Sequence, residues 1–261
     1  MKTLGRRLYQ ARSAAGLSLR ALAQCVGLSH MAIKKYEDGS LYPSSDILLK
    51  LSQALGVRAE YFLRPITAEL SEIKFRKREG LSKKAEKAIQ SEIRDQIERR
   101  MELENLYPLP TSSPFILPEN LSQKIRDLNE VENVVNKMRD AWQLGLAPIS
   151  DLIDLLEKHG IRIFIIQYDE YNFDGLSTFI NDEPVIVISS HWPGDRQRFT
   201  LAHELGHFIF QGRLLGLDEE KVCNRFAGAF LFPQQAVFDE VGKHRHSIEW
   251  QELVLLKSEY K

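Results

Sequence analysis

The sequence contains only two cysteines, and it lacks any hydrophobic run long enough to cross a membrane. Cys25 and Cys223 lie far apart within apolar helical patterns, so they do not indicate a disulfide framework, and we expect both to be buried. A membrane-spanning helix needs about 20 consecutive apolar residues, and residues 1–10 lack the apolar centre of a signal peptide. We therefore expect a cytoplasmic protein with no membrane partner.

The charge is distributed unevenly along the chain. Its 261 residues are 43% hydrophobic and 27% charged, which is ordinary for a globular protein of one large or two small domains. The net charge of −1 is the sum of +6 in residues 1–65, +1 in residues 66–110 and −8 in residues 111–261. A basic N-terminal part predicts binding to nucleic acid, and the acidic remainder indicates a different task.

Glycine and proline divide the chain into three parts. Residues 1–65 show short helical patterns separated by glycines, which predicts an all-α domain. Residues 66–118 are predicted to form a helical linker and a hinge that contains Pro108, Pro110, Pro114 and Pro118. In the linker helix, predicted over 81–104, apolar side chains recur every fourth residue, at Ala85, Ile89, Ile93, Ile97 and Met101. This stripe is expected to pack either on its own chain or on a second copy.

The third part, residues 119–261, is predicted to be an α+β domain with a small β-sheet. We expect helices over 119–143 and 149–159, followed by strands over 161–168 and 184–189 with turn residues at 174–175 and 181–182 between them. The segments FTLAHELGHFIF (199–210) and DEEKVCNRFAGAFLFP (218–233) are expected to form the next two helices.

The segment that begins at Leu19 has the pattern of a helix-turn-helix. Ala23 falls where two helices meet, Gly27 falls at the turn, and Ile33 falls at the inward position of the second helix. Ser29 is expected to cap that helix. The residues expected to contact DNA are Arg20, Ser29, His30, Met31, Lys34 and Lys35. A further group is expected either to contact phosphates or to be solvated surface: Arg6, Arg7 and Arg12.

The segment FTLAHELGHFIF is apolar apart from Thr200 and three ionisable residues, His203, Glu204 and His207. Buried ionisable groups need partners, and two histidines one helical turn apart can bind one Zn²⁺. Glu204 is expected to lie beside that metal as the general base for a water molecule. The alternative is a chance motif whose histidines are satisfied within the core.

A third metal ligand is expected from the following helix. Glu220 is aligned with the apolar stripe at Cys223 and Ala227, whereas Glu219 is rotated off that face. The alternative is that Glu220 is an exposed first-turn glutamate favoured by the helix dipole. Zinc suits two imidazoles and one carboxylate best, and Mn²⁺ or Fe²⁺ can occupy the same set of ligands.

Residues 4–63, from LYQARSAAGLSLRALAQCVGLSHMAIKKYEDG through LLKLSQALGV, resemble the Xre/Cro-type repressor domain. That resemblance implies a five-helix bundle that acts as a homodimer on double-stranded operator DNA. Residues 119–261 resemble the ImmA/IrrE family of metallopeptidases in five segments: RQRFTLAHELGHFIF, EKVCNRFAGAFLFP, DGLS, PVIVIS and MRDAWQLGLAPI. The second resemblance implies a zincin-like fold.

The metallopeptidase resemblance also implies roles for individual residues. It implies zinc bound by His203, His207 and Glu220, and water activated by Glu204. The implied substrate is a helix-turn-helix repressor, either a partner or this chain itself, in stress or mobile-element control. The alternative is a transcriptional repressor whose metallo-domain senses a ligand or partner with little proteolysis.

The chain departs from this family in several places. Cys223 stands where the family commonly has alanine, and we interpret it as a packing residue, with metal ligation by its thiol as the alternative. The relatives look as if they continue beyond the segment LVLLKSEYK, so the chain is expected to be truncated or a short member. The resemblance supplies no oxyanion stabiliser, for which His244, His246 and Tyr168 are the candidates.

Overall fold

The structure is a computed structural model that describes residues 2–64, 83–104, 106–107, 113–121, 124–167, 173–180 and 182–260. The chain divides into two compact units, and the main division falls between Leu109 and Pro110, within the predicted hinge. Pro108 and Pro110 lie outside the described residues, while Pro114 and Pro118 lie in a segment without helix or strand. Among the described helices, none combines the length and apolar composition needed to cross a bilayer.

The first unit begins with four short α-helices and a 3₁₀ helix. The α-helices are α1 (Lys2–Ala14), α2 (Leu19–Val26), α3 (His30–Glu37) and α4 (Ser45–Leu55), and the 3₁₀ helix covers Ala59–Leu63. Serine side chains cap three of these helices, because Ser18, Ser29 and Ser44 accept hydrogen bonds from backbone N–H groups in the first turns of α2, α3 and α4. The core contains Leu8, Leu22, Ile33, Leu51 and Phe62. The predicted all-α, five-helix domain is confirmed, with a 3₁₀ helix as its fifth member.

The linker helix, α5 (Lys83–Glu104), packs on α1 and so belongs to the first unit. Its apolar stripe is buried at Ile89, Ile93 and Ile97, so at these positions the stripe packs on its own chain. The side chains of Ala85 and Met101 lie outside the described residues.

Two of the arginines that the sequence leaves open as phosphate contacts or surface charges are structural. Arg7 is buried and forms an ion pair with Glu98 of α5, and its guanidinium lies over the ring of Tyr61 at 5.4 Å from the centroid. Arg12 donates hydrogen bonds to both carboxylate oxygens of Glu37, at 2.6 and 3.0 Å. Their guanidinium groups are engaged by carboxylates of the same unit. Arg6 is exposed, as expected of a surface charge.

The second unit is an α+β domain, as predicted. Its elements are α6 (Glu130–Ala141), α7 (Leu152–Lys158), β1 (Arg162–Ile166), β2 (Gly175–Ile180), β3 (Glu183–Ser189), α8 (Gly194–Phe210), α9 (Glu219–Leu231), α10 (Gln234–Val241) and α11 (Trp250–Tyr260). The strand order is β1-β3-β2, with β1 parallel and β2 antiparallel to β3. The sheet and the buried faces of α6 to α9 enclose one apolar core.

The prediction of only two strands is wrong, because the segment GLSTFI forms the strand β2. Its glycine and serine resemble turn residues in sequence, but Gly175 is required by a close approach. A Cβ atom there would lie 2.8 Å from the carbonyl oxygen of Val187 and 2.6 Å from the methyl group of Thr200. The strand therefore needs glycine where another residue would clash with β3 and α8.

The helix predicted over 119–143 is also shorter than expected. The residues before Glu130 do not continue it, because Ile125 forms a parallel bridge with Leu214, and its N–H donates to the carbonyl of Arg213 at 2.8 Å. The side chain of Glu130 accepts hydrogen bonds from the backbone N–H groups of Arg126 and Asp127, both at 3.0 Å. These contacts fix the start of α6 at Glu130.

We expect replacement of Glu98 by alanine to destabilise the first unit by about 3–5 kcal/mol, because Arg7 would remain buried without its counter-ion. All three tryptophans lie in the second unit. The unfolding transition of the first unit, followed by far-ultraviolet circular dichroism, should therefore move to a lower urea concentration. The transition followed by tryptophan fluorescence should stay at the same urea concentration.

The matched control is Glu102→Ala. Glu102 pairs with Arg64 at 3.0 Å, and both side chains are about one-third exposed. Its loss should cost no more than about 1 kcal/mol. Equal effects of the two substitutions would contradict a special role for the Arg7–Glu98 pair.

Candidate metal centre and nucleic-acid interface

The helix α8 carries three ionisable side chains inside the core of the second unit. Every residue from Thr200 to Phe210 is buried, and His203, Glu204 and His207 are only 6%, 2% and 4% exposed. Burial of such groups is unfavourable unless hydrogen bonds or a counter-charge compensate for lost hydration. Their partners come from α9 and β2.

The helix α9 approaches α8 most closely at Gly206. A Cβ atom at Gly206 would lie 3.3 Å from the Cα, Cβ and Sγ atoms of Cys223, which is tighter than most packing contacts. Gly206 is therefore a point of close approach between the two helices, and the approaching segment is the first half of α9. This packing places the beginning of α9 opposite His203 and His207.

The Nε2 atoms of both histidines point toward the carboxylate of Glu220. The distance from His203 Nε2 to Glu220 Oε2 is 3.2 Å, and the distance from His207 Nε2 to Glu220 Oε1 is 3.5 Å. One potential ligand atom from each of these three residues lies within 4.8 Å of the others. Two imidazoles and one carboxylate are a donor set that suits a divalent transition metal. The described residues therefore contain a possible metal site.

The other ring nitrogen of each histidine is held by α9. His203 Nδ1 donates to Asn224 Oδ1 at 2.9 Å, because a carbonyl oxygen can only accept. His207 Nδ1 donates to Glu219 Oε1 at 3.0 Å. Such hydrogen bonds fix the tautomer in which the Nε2 lone pair is available to a metal. This chemistry of the histidines fits a bound cation.

The sequence did not predict a role for Glu219, whose carboxylate accepts a hydrogen bond from His207 Nδ1. Both first-turn glutamates of α9 reach the histidine pair because the helix begins directly opposite it. Asn224 was not predicted at all. Its position four residues after Glu220 was the available signal, since residues at that spacing share one helix face.

Glu204 projects from α8 toward β2. Its Oε2 accepts a hydrogen bond from Ser177 Oγ at 2.8 Å, and both side chains are buried. Ser177 was not predicted as a site residue, because the sequence pattern did not indicate the strand β2. A buried carboxylate next to a possible metal site, with one oxygen held by a hydroxyl, has the composition of a general base site.

Cys223 is buried, as predicted, and contacts the site at its periphery. Its Sγ atom lies 3.5 Å from His207 Nδ1, on the side of the ring that faces away from Glu220. Among the described residues, the group of possible ligand atoms comprises His203, His207 and Glu220. The structure thus favours a packing role for Cys223. His244 and His246 are exposed, and Tyr168 lies outside the described residues.

The helix-turn-helix has the predicted geometry. Gly27 adopts φ 70°, Ser29 Oγ accepts from the N–H of Ala32, and Leu22, Ala23 and Ile33 are buried. The residues predicted to contact DNA are exposed: Arg20, Ser29, His30, Met31, Lys34 and Lys35. The expectation that Cys25 is buried is wrong, because Leu22, Ala23 and Val26 form the inward face of α2 and Cys25 lies off it.

One of the two recognition-helix lysines is engaged by a carboxylate. Lys34 Nζ lies 2.9 Å from Asp38 Oδ1, and this hydrogen bond raises the pKa of Lys34 above its ordinary value. Both side chains are about half exposed, so the pair can open at little cost. A phosphate contact by Lys34 must compete with Asp38.

Two family models match the chain, each over part of one unit. Residues 5–65 match a helix-turn-helix domain, and residues 156–261 match the IrrE N-terminal-like domain of peptidase family M78. A comparison with curated proteins gives no match. The matches confirm the type of domain at each end of the chain.

We expect Asn224→Ala and Glu219→Ala each to lower zinc affinity by about 10- to 100-fold, because each removes the hydrogen bond that orients one histidine. Affinity is measured by competition with a chromogenic chelator on the full chain. Lys221→Ala is the control, since Lys221 lies in the same turn and is 75% exposed. Unchanged affinity in both variants would show that these hydrogen bonds do not support metal binding.

Proposed function

Because this chain joins a helix-turn-helix domain to an IrrE N-terminal-like domain of the M78 peptidases, we propose that it is a DNA-binding transcriptional regulator with a zinc-dependent endopeptidase site. The observation that carries the proposal is the convergence of His203, His207 and Glu220, with the buried carboxylate of Glu204 on the same helix. We assign the first three residues as metal ligands and Glu204 as the catalytic residue.

Glu204 performs the proton transfers in the proposed hydrolysis. A zinc ion held by His203, His207 and Glu220 would supply Lewis acidity, which makes water more acidic and polarises a peptide carbonyl. Glu204 accepts a proton from the attacking water and returns it to the amine of the departing peptide. Ser177 positions Glu204 by donating a hydrogen bond to Oε2. Mn²⁺ or Fe²⁺ would suit the same donor set.

The site is reachable from solvent on the side formed by α9. The side chain of Glu220 is 61% exposed and that of Glu219 is 42% exposed, although the histidines are buried. A peptide bond must therefore be presented on an accessible segment of a protein substrate. We propose a helix-turn-helix repressor as that substrate, either a partner or a second copy of this chain within a homodimer.

The first unit is proposed to bind a two-fold operator through α3. The exposed side chains on α3 and at its N-terminus supply donors for base edges and phosphates. Ser29 can still donate its hydroxyl hydrogen to a phosphate, because its oxygen accepts from Ala32 in the cap. Arg20 and Lys35 are proposed as phosphate contacts. Cleavage by the second unit would then lower the amount of intact regulator on DNA.

We expect Glu204→Gln to retain zinc and to abolish cleavage, because an amide cannot accept the proton from water. The measurement is mass spectrometry of the chain after incubation with zinc, alone and with helix-turn-helix proteins from the same cells, alongside total metal analysis. Cleavage at the wild-type rate in this variant would refute the catalytic role. Regulation without any cleavage by the wild-type protein would favour a sensing metallo-domain instead.

We expect loss of the Ser177 hydroxyl to lower kcat with little effect on KM, because in the proposed mechanism this hydroxyl orients Glu204 and does not bind substrate. Ser177→Val should lower kcat by about tenfold or more, as expected for a misplaced general base. Ser177→Thr has the same shape as the valine variant but keeps the hydroxyl, so it should restore most of kcat. Equal rates in the two variants would exclude a positioning role.

We expect the full chain to bind duplex DNA with an affinity that falls steeply as salt rises, because phosphate contacts release counterions. Lys35→Ala should reduce the slope of log affinity against log salt by about one. Lys158→Ala, a change to an exposed lysine of the second unit, is the control. Absence of affinity for any duplex at low salt would refute DNA binding.

A further inference from the structure

A cleft in the second unit lies on the side of α9 that carries Asn224. It is formed by α6, α9 and the beginning of α10, and its volume is about 350 Å³. This volume falls within the roughly 300–1,000 Å³ of ordinary small-molecule sites. Among its lining residues are Glu132, Asn224, Arg225, Gly228, Phe232 and Val237. The proposed mechanism uses none of these residues except Asn224, which orients His203.

One carboxylate oxygen of Glu132 has no hydrogen-bond donor among the described residues. Its Oε1 accepts from Arg225 Nη2 at 2.5 Å, but its Oε2 is buried and accepts no hydrogen bond from any described residue. The side chain of Glu132 is only 14% exposed. Glu132 lines the cleft, and a buried carboxylate oxygen without a donor is unfavourable, so a ligand in the cleft whose N–H group meets Oε2 after a small rotation of the carboxylate would be stabilised there.

The rest of the cleft is suited to an apolar group. Phe232 and Val237 line it, and a Cβ atom at Gly228 would meet no other atom within 4 Å. Gly228 lies within α9, at a helical position where larger residues are ordinarily favoured. The cleft has room for a short branched hydrocarbon chain, which would pack on Phe232 and Val237.

Asn224 connects this cleft to the metal site. It lines the cleft, and its Oδ1 accepts the hydrogen bond from His203 Nδ1 at 2.9 Å. A ligand in the cleft would restrict the movement of the Asn224 side chain, and that restriction would hold the His203 ring in the orientation that presents Nε2. Binding at two sites that order the same side chain is mutually favourable.

We propose that this cleft binds a small primary ammonium compound with a branched apolar body, and that its occupancy raises the metal affinity of the site through Asn224. The ammonium group donates to Glu132, and the apolar body packs on Phe232 and Val237 beside Gly228. The proposal that the cleft binds this ligand depends only on the residues of the cleft. The coupling part rests on the proposed metal site.

The first experiment measures ligand binding to the full chain without metal. Isoamylammonium is titrated while amide spectra are recorded by nuclear magnetic resonance, and isovalerate, an anion of similar size and branching, is titrated in parallel. We expect saturable shifts that include the Asn224 side-chain amide for the ammonium compound, and at least tenfold weaker binding of the anion. Equal binding of both compounds, or no saturable shift with either, would overturn the proposal.

Two substitutions test the location of this binding. Gly228→Leu should fill the cleft and abolish the shifts, whereas Gly228→Ala adds one methyl group and should weaken binding less. Glu132→Gln should reduce affinity for isoamylammonium by at least tenfold. Far-ultraviolet circular dichroism establishes that each variant is folded, and a folded Gly228→Leu variant that binds like the wild type would place the ligand elsewhere and overturn the proposal.

The second experiment tests the coupling by measuring zinc affinity with and without saturating isoamylammonium. We expect an increase of about fivefold or more in the wild type and none in the Gly228→Leu variant. An unchanged zinc affinity in the wild type would overturn the coupling while leaving ligand binding intact. A chain that binds the ammonium compound but no zinc would refute the proposed peptidase function and the coupling. Ligand binding in the cleft would still stand.

Discussion

The close packing of α9 on α8 at Gly206 is the constraint on which the second unit depends. A Cβ atom at this position would lie 3.3 Å from the Cα, Cβ and Sγ atoms of Cys223, so any larger residue would require the two helices to shift by a few tenths of an ångström. The approach determines which part of α9 faces His203 and His207. The helix α8 therefore supplies the two imidazole rings of the possible metal site, whereas α9 supplies Glu220 as the possible third ligand and the side chains of Glu219 and Asn224 that orient the rings.

The polar groups of α8 are tolerated in an apolar core because each has a specific partner. The histidines donate to Asn224 and Glu219, and Glu204 accepts from Ser177. In a medium of low dielectric constant, these hydrogen bonds are stronger than they would be in water, and an unsatisfied group would be costly. The same burial that stabilises the domain thus restricts each side chain to one orientation, which is what general base chemistry and metal binding require.

The features that could be predicted from the sequence are those set by local geometry. The spacing of His203 and His207 places both on one face of a helix, and Gly27 and Ser29 define the turn and cap of the helix-turn-helix through contacts within a few residues. Two pairings between elements that are far apart in the sequence were not predicted. Ser177 reaches Glu204 across 27 positions, and Arg7 pairs with Glu98 across 91. No periodicity in one segment reports such pairings, since they depend on how complete elements pack.

The buried pair between Arg7 and Glu98 has a consequence for how the operator-binding part can be separated from the rest. A piece cut after the 3₁₀ helix would keep the guanidinium and lose its carboxylate, and it would also lose α5, which packs on α1 and buries Ile89, Ile93 and Ile97. Such a piece would be prone to aggregate before its affinity for DNA could be judged. The smallest module that can be fused to another effector therefore extends through Glu104. The helix α5, which the sequence indicates as a linker, is part of the folded first unit.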